Sequence, residues 1–187
     1  MTFKRSNRTY DEASLYEYAV GALGRRMRTV VELKRLMRTR VGKQADGDTL
    51  VGAVITRLKD HHYLDDSHFA AVYSSFRKDN EKFGRMRVKQ DLKLKGVQEE
   101  VIEQAVTAVY DGISDEQQAR RFLSRKRLKK PTDQKETARI FRTMVRAGFG
   151  TRTIVGILKN WDVEDETLML LEQEQAEAET RIEDEEA

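Results

Sequence analysis

The chain has 187 residues, of which 36% are charged and 39% apolar, with one proline, eleven glycines and no cysteine. Disulfides, thiolate zinc sites and cysteine nucleophiles are excluded, and no apolar run approaches the roughly 18 residues that a membrane span requires. The formal net charge of +3 hides a split: residues 162–187 carry −11 and residues 1–161 carry +14. A basic body of this size either seeks a polyanion or an acidic protein face, or is simply a solvated helical surface. The N-terminus MTFKRSNRTY lacks the apolar centre of a signal peptide, so a cytoplasmic protein with no membrane partner is expected. So few helix breakers predict an all-α fold.

In chain order, the pattern predicts helices over 12–26, 29–39 and 49–61, then 66–79, 85–95 and 98–110, then 115–127, 133–147 and 151–160. Their starts carry recognisable signals. Tyr10-Asp11 with Leu15 opens the first helix. Thr29 with Glu32 and Ser114 with Gln117 have the spacing of capping boxes, in which two side chains satisfy orphan backbone N–H groups reciprocally. In Tyr63-Leu64-Asp65-Asp66, Asp65 is read as an N-cap and Asp66 as a first-turn acid. Leu64 and Phe69 then stand at the spacing of a hydrophobic staple.

The same helices form an internal repeat. LMRTRV (36–41), LKLKGV (92–97) and MVRAGF (144–149) begin 56 and 52 positions apart. Each is followed by a helix with an adjacent apolar pair: Val54–Ile55, Val101–Ile102 and Ile154–Val155. Gly96 with Val97 over Leu92, and Gly148 with Phe149 over Met144, fit helix ends closed by a left-handed glycine. In the first copy Arg40 stands at that position, which predicts a looser turn. The expected architecture is three tandem three-helix, helix-turn-helix-like repeats in an elongated, curved arrangement: 1–64 with an N-terminal arm, 65–112 and 113–161, followed by an acidic tail over 162–187.

No converging catalytic constellation emerges. His61, His62 and His68 with Asp65 and Asp66 are metal-ligand types, but the adjacent histidines point to different helix faces. Phosphate-loop, dinucleotide and nucleophile-elbow motifs are missing. No enzyme, cofactor or metal is expected. What remains is cationic: Arg25, Arg26 and Arg28 in the first repeat, Arg85, Arg87, Lys89, Lys93 and Lys95 in the second, and Arg121, Arg125, Arg139, Arg142 and Arg146 in the third. The last three share a helix face at i, i+3, i+7. Repeated across three units, these cations suit a nucleic-acid backbone or a protein polymer. The third helix of each repeat offers few base-reading side chains, so direct sequence readout is not expected.

Tyr63-Leu64-Asp65-Asp66-x-x-Phe69-Ala70, Gly84-x-x-Arg87-x-x-x-x-Leu92-x-x-Lys95-Gly96-Val97, and the stretch from Ala19 to Leu36 with Arg25–Arg26, Glu32 and Leu33 together resemble the RecX family of bacterial recombination regulators. The resemblance covers about residues 10–161. His62 stands where a glycine commonly precedes the tyrosine, and His68 where a charged residue is usual. The resemblance implies a non-enzymatic protein that binds the RecA recombinase filament, touching single-stranded DNA directly or through the filament. It further implies inhibition of ATPase, recombinase and coprotease activities, within the regulation of DNA repair, homologous recombination and the SOS response. A monomer is expected. The cations listed by repeat are then the expected filament- and nucleic-acid-binding residues, and several modest contacts would combine by avidity. The alternative is a stand-alone helix-turn-helix-like DNA-binding protein. The acidic tail lies outside the resemblance: it is either a helix using Leu168, Leu170, Leu171 and Ile182 or a disordered polyanion, and it either solubilises or folds back on the basic body.

Overall fold

The computed structural model describes residues 9–186. Among them are ten α-helices and no strand: α1 (Glu12–Arg25), α2 (Val30–Val41), α3 (Gly47–Asp60), α4 (Asp66–Phe76), α5 (Arg85–Leu94), α6 (Glu99–Val109), α7 (Asp115–Lys126), α8 (Gln134–Arg146), α9 (Thr151–Lys159) and α10 (Asp165–Glu186). No described helix is long and apolar enough to cross a membrane.

The helix starts follow from their caps. Asp11 accepts the Ser14 N–H at 2.9 Å. Thr29 accepts the Glu32 N–H at 3.1 Å, and the Glu32 carboxylate accepts the Thr29 N–H at 3.3 Å. One Asp65 oxygen accepts the N–H groups of Ser67 and His68 at 2.8 and 2.9 Å. Each such cap contributes about 1 kcal/mol. At α7 only the forward half of the expected box forms: Ser114 accepts the Gln117 N–H at 3.1 Å, and the Gln117 side chain makes no return bond.

Two helix ends depart from the sequence reading. The first stop is Gly42, at φ 61°, rather than Arg40. Val41 is buried, so its place in the core carries the helix past Arg40. α4 passes into a π-helical turn over Arg77–Glu81, closed by Lys82 in the left-handed region. The acidic segment resolves as helix, α10. His62 has φ 56°, in the left-handed region that glycine adopts most readily.

The chain divides into two compact units, one comprising residues up to Tyr73 with Asp91–Ala105, the other Ser74–Gln90 with everything from Val106 onward. In the first, α1 and α2 both pack on α3. Leu15, Ala19 and Ala22 of α1, Leu33, Met37 and Val41 of α2, and Val51, Val54, Ile55 and Leu58 of α3 form its core with Leu64. In the second, α7 and α8 pack on α9. Phe122 and Leu123, Ile140, Phe141 and Met144, and Ile154, Val155, Ile157 and Leu158 are joined there by Phe149, Leu168 and Leu171. Full burial of one such Leu or Ile contributes roughly 1.5–3 kcal/mol, so these apolar stripes dominate each unit's stability.

One joint occurs in both units. In the first, the turn after α5 closes with Val97 N–H donating to Leu92 O at 3.2 Å. That turn sits on the start of α2: the Thr29 hydroxyl donates to Lys95 O at 2.7 Å, and a Cβ on Gly96 would come within 2.6 Å of Val31. In the second, the turn after α8 closes with Phe149 N–H donating to Met144 O at 3.2 Å. It sits on the start of α5: Gly84 N–H donates to Ala147 O at 2.8 Å, and a Cβ on Gly148 would overlap the Arg87 backbone. Val31 and Arg87 are 56 positions apart and Gly96 and Gly148 are 52 apart, the intervals of the sequence repeat. Each unit therefore holds a three-helix set together with the stretch of α4–α6 that meets it. The boundaries fall inside those three helices for that reason.

Candidate functional site

The cations are taken unit by unit. In the first unit, Arg25 and Arg26 are exposed at the end of α1, and Arg28 is half-buried with its Nε shut away from solvent and unpaired. Lys93 is exposed on α5 and has no ion pair among the described residues. Lys95 points inward. Its Nζ lies 2.9 Å from Glu32 Oε1 and 5.8 and 5.3 Å from the ring centres of Phe69 and Tyr73. Burial pushes the Glu32 carboxyl up, but its bond to the Lys95 ammonium and the Thr29 N–H outweigh this and hold it below the usual range. Lys95 is thus a brace of the joint with α2.

In the second unit, Arg85 is likewise an internal fastener. Its Nε donates to Asp115 Oδ1 at 3.1 Å, and its Nη2 donates to the carbonyls of Tyr110 and Ile113 at 3.3 and 3.0 Å. A guanidinium can satisfy three acceptors in one plane, which an ammonium cannot do in the same geometry. Arg87 is half-buried near the Phe83 ring and the Gly148 turn, and Lys89 is half-buried on α5. Tyr110 is fully buried, donates to Phe83 O at 2.8 Å, and is pushed far up by desolvation. Arg125 on α7 pairs with Glu81 at 3.4 Å, while Arg121 is exposed without an ion pair among the described residues. Arg139, Arg142 and Arg146 are all exposed on α8. Their partners are thin: Arg139 reaches Glu136 at 4.0 Å, Arg142 reaches Glu174 of α10 at 3.4 Å, and Arg146 pairs with nothing among the described residues. Exposed pairs of this kind are worth about 0–1 kcal/mol each, so these cations are readily released to another anion.

The structure thus separates two groups that look alike in sequence. Arg85 and Lys95 belong to the framework, whereas Arg25, Arg26, Lys93, Arg121, Arg139, Arg142 and Arg146 face solvent. Lys130 and Lys159, basic residues of the third repeat outside the expected binding set, hold Asp162 and Asp165 at 2.8 and 2.9 Å. Lys159 stands close to its partner in sequence, whereas Lys130 and Asp162 are 32 positions apart.

The histidine–aspartate set does not converge. His61 Nδ1 lies 2.8 Å from the Tyr16 hydroxyl, Asp65 caps α4, and Asp66 Oδ1 accepts the Val30 N–H at 2.9 Å. Among the described residues no group of three or more His, Asp or Glu is placed to hold a metal ion.

Fold and surface define an all-α protein of small three-helix sets, joined by docked glycine turns and bearing exposed cations on each unit. Residues 65–106 match the second three-helix domain of RecX. The chain is 30% identical over 145 residues to the regulatory protein RecX of Chromobacterium violaceum, covering 78% of this chain and 89% of that protein. It is 30% identical over 154 residues to the regulatory protein RecX of Bacillus licheniformis, covering 81% and 56% of the two. The crystal structure of RecX from Lactobacillus salivarius superposes with a TM-score of 0.61 at 21% identity, over 81% of this chain and 97% of that one. The chain belongs to the RecX family of regulatory proteins. It spans about half the length of several curated relatives that it matches, 56% of the B. licheniformis protein among them.

Proposed function

We propose that this chain binds the RecA–single-stranded-DNA filament and mainly inhibits its ATPase, recombinase and coprotease activities, in the regulation of DNA repair and recombination. The observation that carries this reading is the match across nearly the whole of the C. violaceum regulatory protein RecX. The surface supports it. Exposed cations occur on both units, so one chain offers several weak charged contacts, and contacts made together on a polymer gain affinity through effective concentration.

The same proposal takes the chain as three tandem repeats, 1–64, 65–112 and 113–161, with Arg25, Arg26, Lys93, Arg121, Arg139, Arg142 and Arg146 as its filament-facing cations. Inhibition then follows from occupying surface that subunit rearrangement or DNA access requires. No catalytic step by this chain enters the mechanism. The test is RecA ATPase on single-stranded DNA titrated with the full chain. A saturable fall in rate supports the proposal, and a rate unchanged at excess chain overturns it.

A further inference from the structure

The acidic helix α10 begins as α7 does. Gly112, at φ 68°, is followed by Ile113, Ser114 and Asp115; Asp162, at φ 57°, is followed by Val163, Glu164 and Asp165. In both, a left-handed residue follows one helix, and an apolar residue and then a polar one lead into the next. α10 is therefore launched onto the second unit by the device that launches its regular helices. Leu168 and Leu171, 1% and 6% exposed, anchor it in the core beside α8 and α9. From that anchor its acids meet cations. Asp165 pairs with Lys159, whose ammonium is raised by that bond and further by the charge of Glu172, and Glu174 pairs with Arg142.

Arg142 is the middle member of the exposed Arg139, Arg142, Arg146 face. A carboxylate held there by an apolar anchor acts at high local concentration, yet the pair itself is exposed and weak. Such a contact can compete with a phosphate without excluding it.

We propose that α10 is a built-in competitor for a single-stranded nucleic-acid backbone at the α8 face. Glu174 occupies Arg142, which a phosphate would otherwise neutralise, while Asp165 and Glu172 hold Lys159 on α9. The helix stays anchored through Leu168 and Leu171 while the side chains give way. This does not depend on the RecA filament, because naked nucleic acid is the ligand.

The test compares full-length wild type, Glu172→Gln/Glu174→Gln and the charge-matched control Glu99→Gln/Glu100→Gln. Anisotropy of a fluorescent oligo-dT is read at low and high salt, and thermal melts verify the fold. The α10 variant should bind roughly three- to tenfold tighter at low salt, with the gain gone at high salt, while the control changes less than twofold. Adding Arg142→Gln should cost more affinity in the α10 variant than in wild type. Equal gains in both glutamine variants, no oligo-dT binding by any of them, or a gain seen only with a RecA filament would each overturn the proposal. A failure of filament binding with the oligo-dT result intact would instead count against the proposed function alone.

Discussion

Gly96 lies so close over Val31 that a single added methyl group would come within 2.6 Å of the valine side chain. The backbone there has φ 77°, so the position requires glycine twice, for conformation and for space. Gly148 against Arg87 repeats the relationship at φ 85°. One glycine turn thus ends a helix and fits it against the start of another.

Space and conformation can be separated by mutation. Gly112 has φ 68° with nothing within 4 Å of a built Cβ. Gly112→Asn should therefore cost at most about 1 kcal/mol, since asparagine tolerates the left-handed region. Gly96→Ala and Gly148→Ala should each cost roughly 2–4 kcal/mol, because strain and overlap add. Chemical denaturation of the three variants checks the ranking.

Arg85 and Lys93 look equivalent in sequence, eight residues apart on one helix, but should fail in different assays. Arg85→Ala leaves the Ile113 carbonyl without its donor and the Tyr110 carbonyl with the Ile113 N–H alone, and should cost about 1–3 kcal/mol of stability. Lys93→Glu should leave the melting temperature within a degree or two and weaken filament binding. Paired melts and binding titrations of the two variants read this directly.

Much of the fold was legible in the residues. Caps such as Asp11, Thr29 and Asp65 act locally, and a local rule needs no tertiary knowledge. The glycine turns at Gly96 and Gly148 were legible for the same reason. What stayed hidden was long-range. Nothing near Asp66 shows that its carboxylate reaches Val30, nor near Arg85 that its guanidinium closes the α6–α7 turn. The stop at Gly42 was misplaced because similarity to the other copies pointed to Arg40, while burial of Val41 decided the matter. For the candidate surface, sequence listed the cations but could not tell an internal brace from a solvent-facing side chain.

Acid should weaken the first unit through Glu32. Its carboxyl lies below the ordinary 4.5 in the folded chain, so its contribution is present above that value and is lost as pH falls through the folded pKa. Glu32→Gln should destabilise at neutral pH and flatten this part of the acid limb in denaturant titrations.

Asp66 has the opposite sign. Burial raises its carboxyl above 3.8, although the Val30 N–H and Lys59 oppose the shift. Its ionisation therefore costs stability as pH rises from the unfolded value through the folded pKa. Asp66→Asn retains an oxygen for the Val30 N–H and removes the charge. Its stability at neutral pH should equal or exceed wild type in the same titration, whereas Asp66→Ala, lacking the acceptor, should lose about 1 kcal/mol.

The proposed filament partnership is tested most directly by titrating the full chain, across a salt series, against preformed RecA filament and against naked single- and double-stranded DNA. Saturable binding to the filament under conditions where both naked DNAs are only weakly held is the predicted result. Equal or tighter binding to naked DNA, or binding to none of the three, would contradict it.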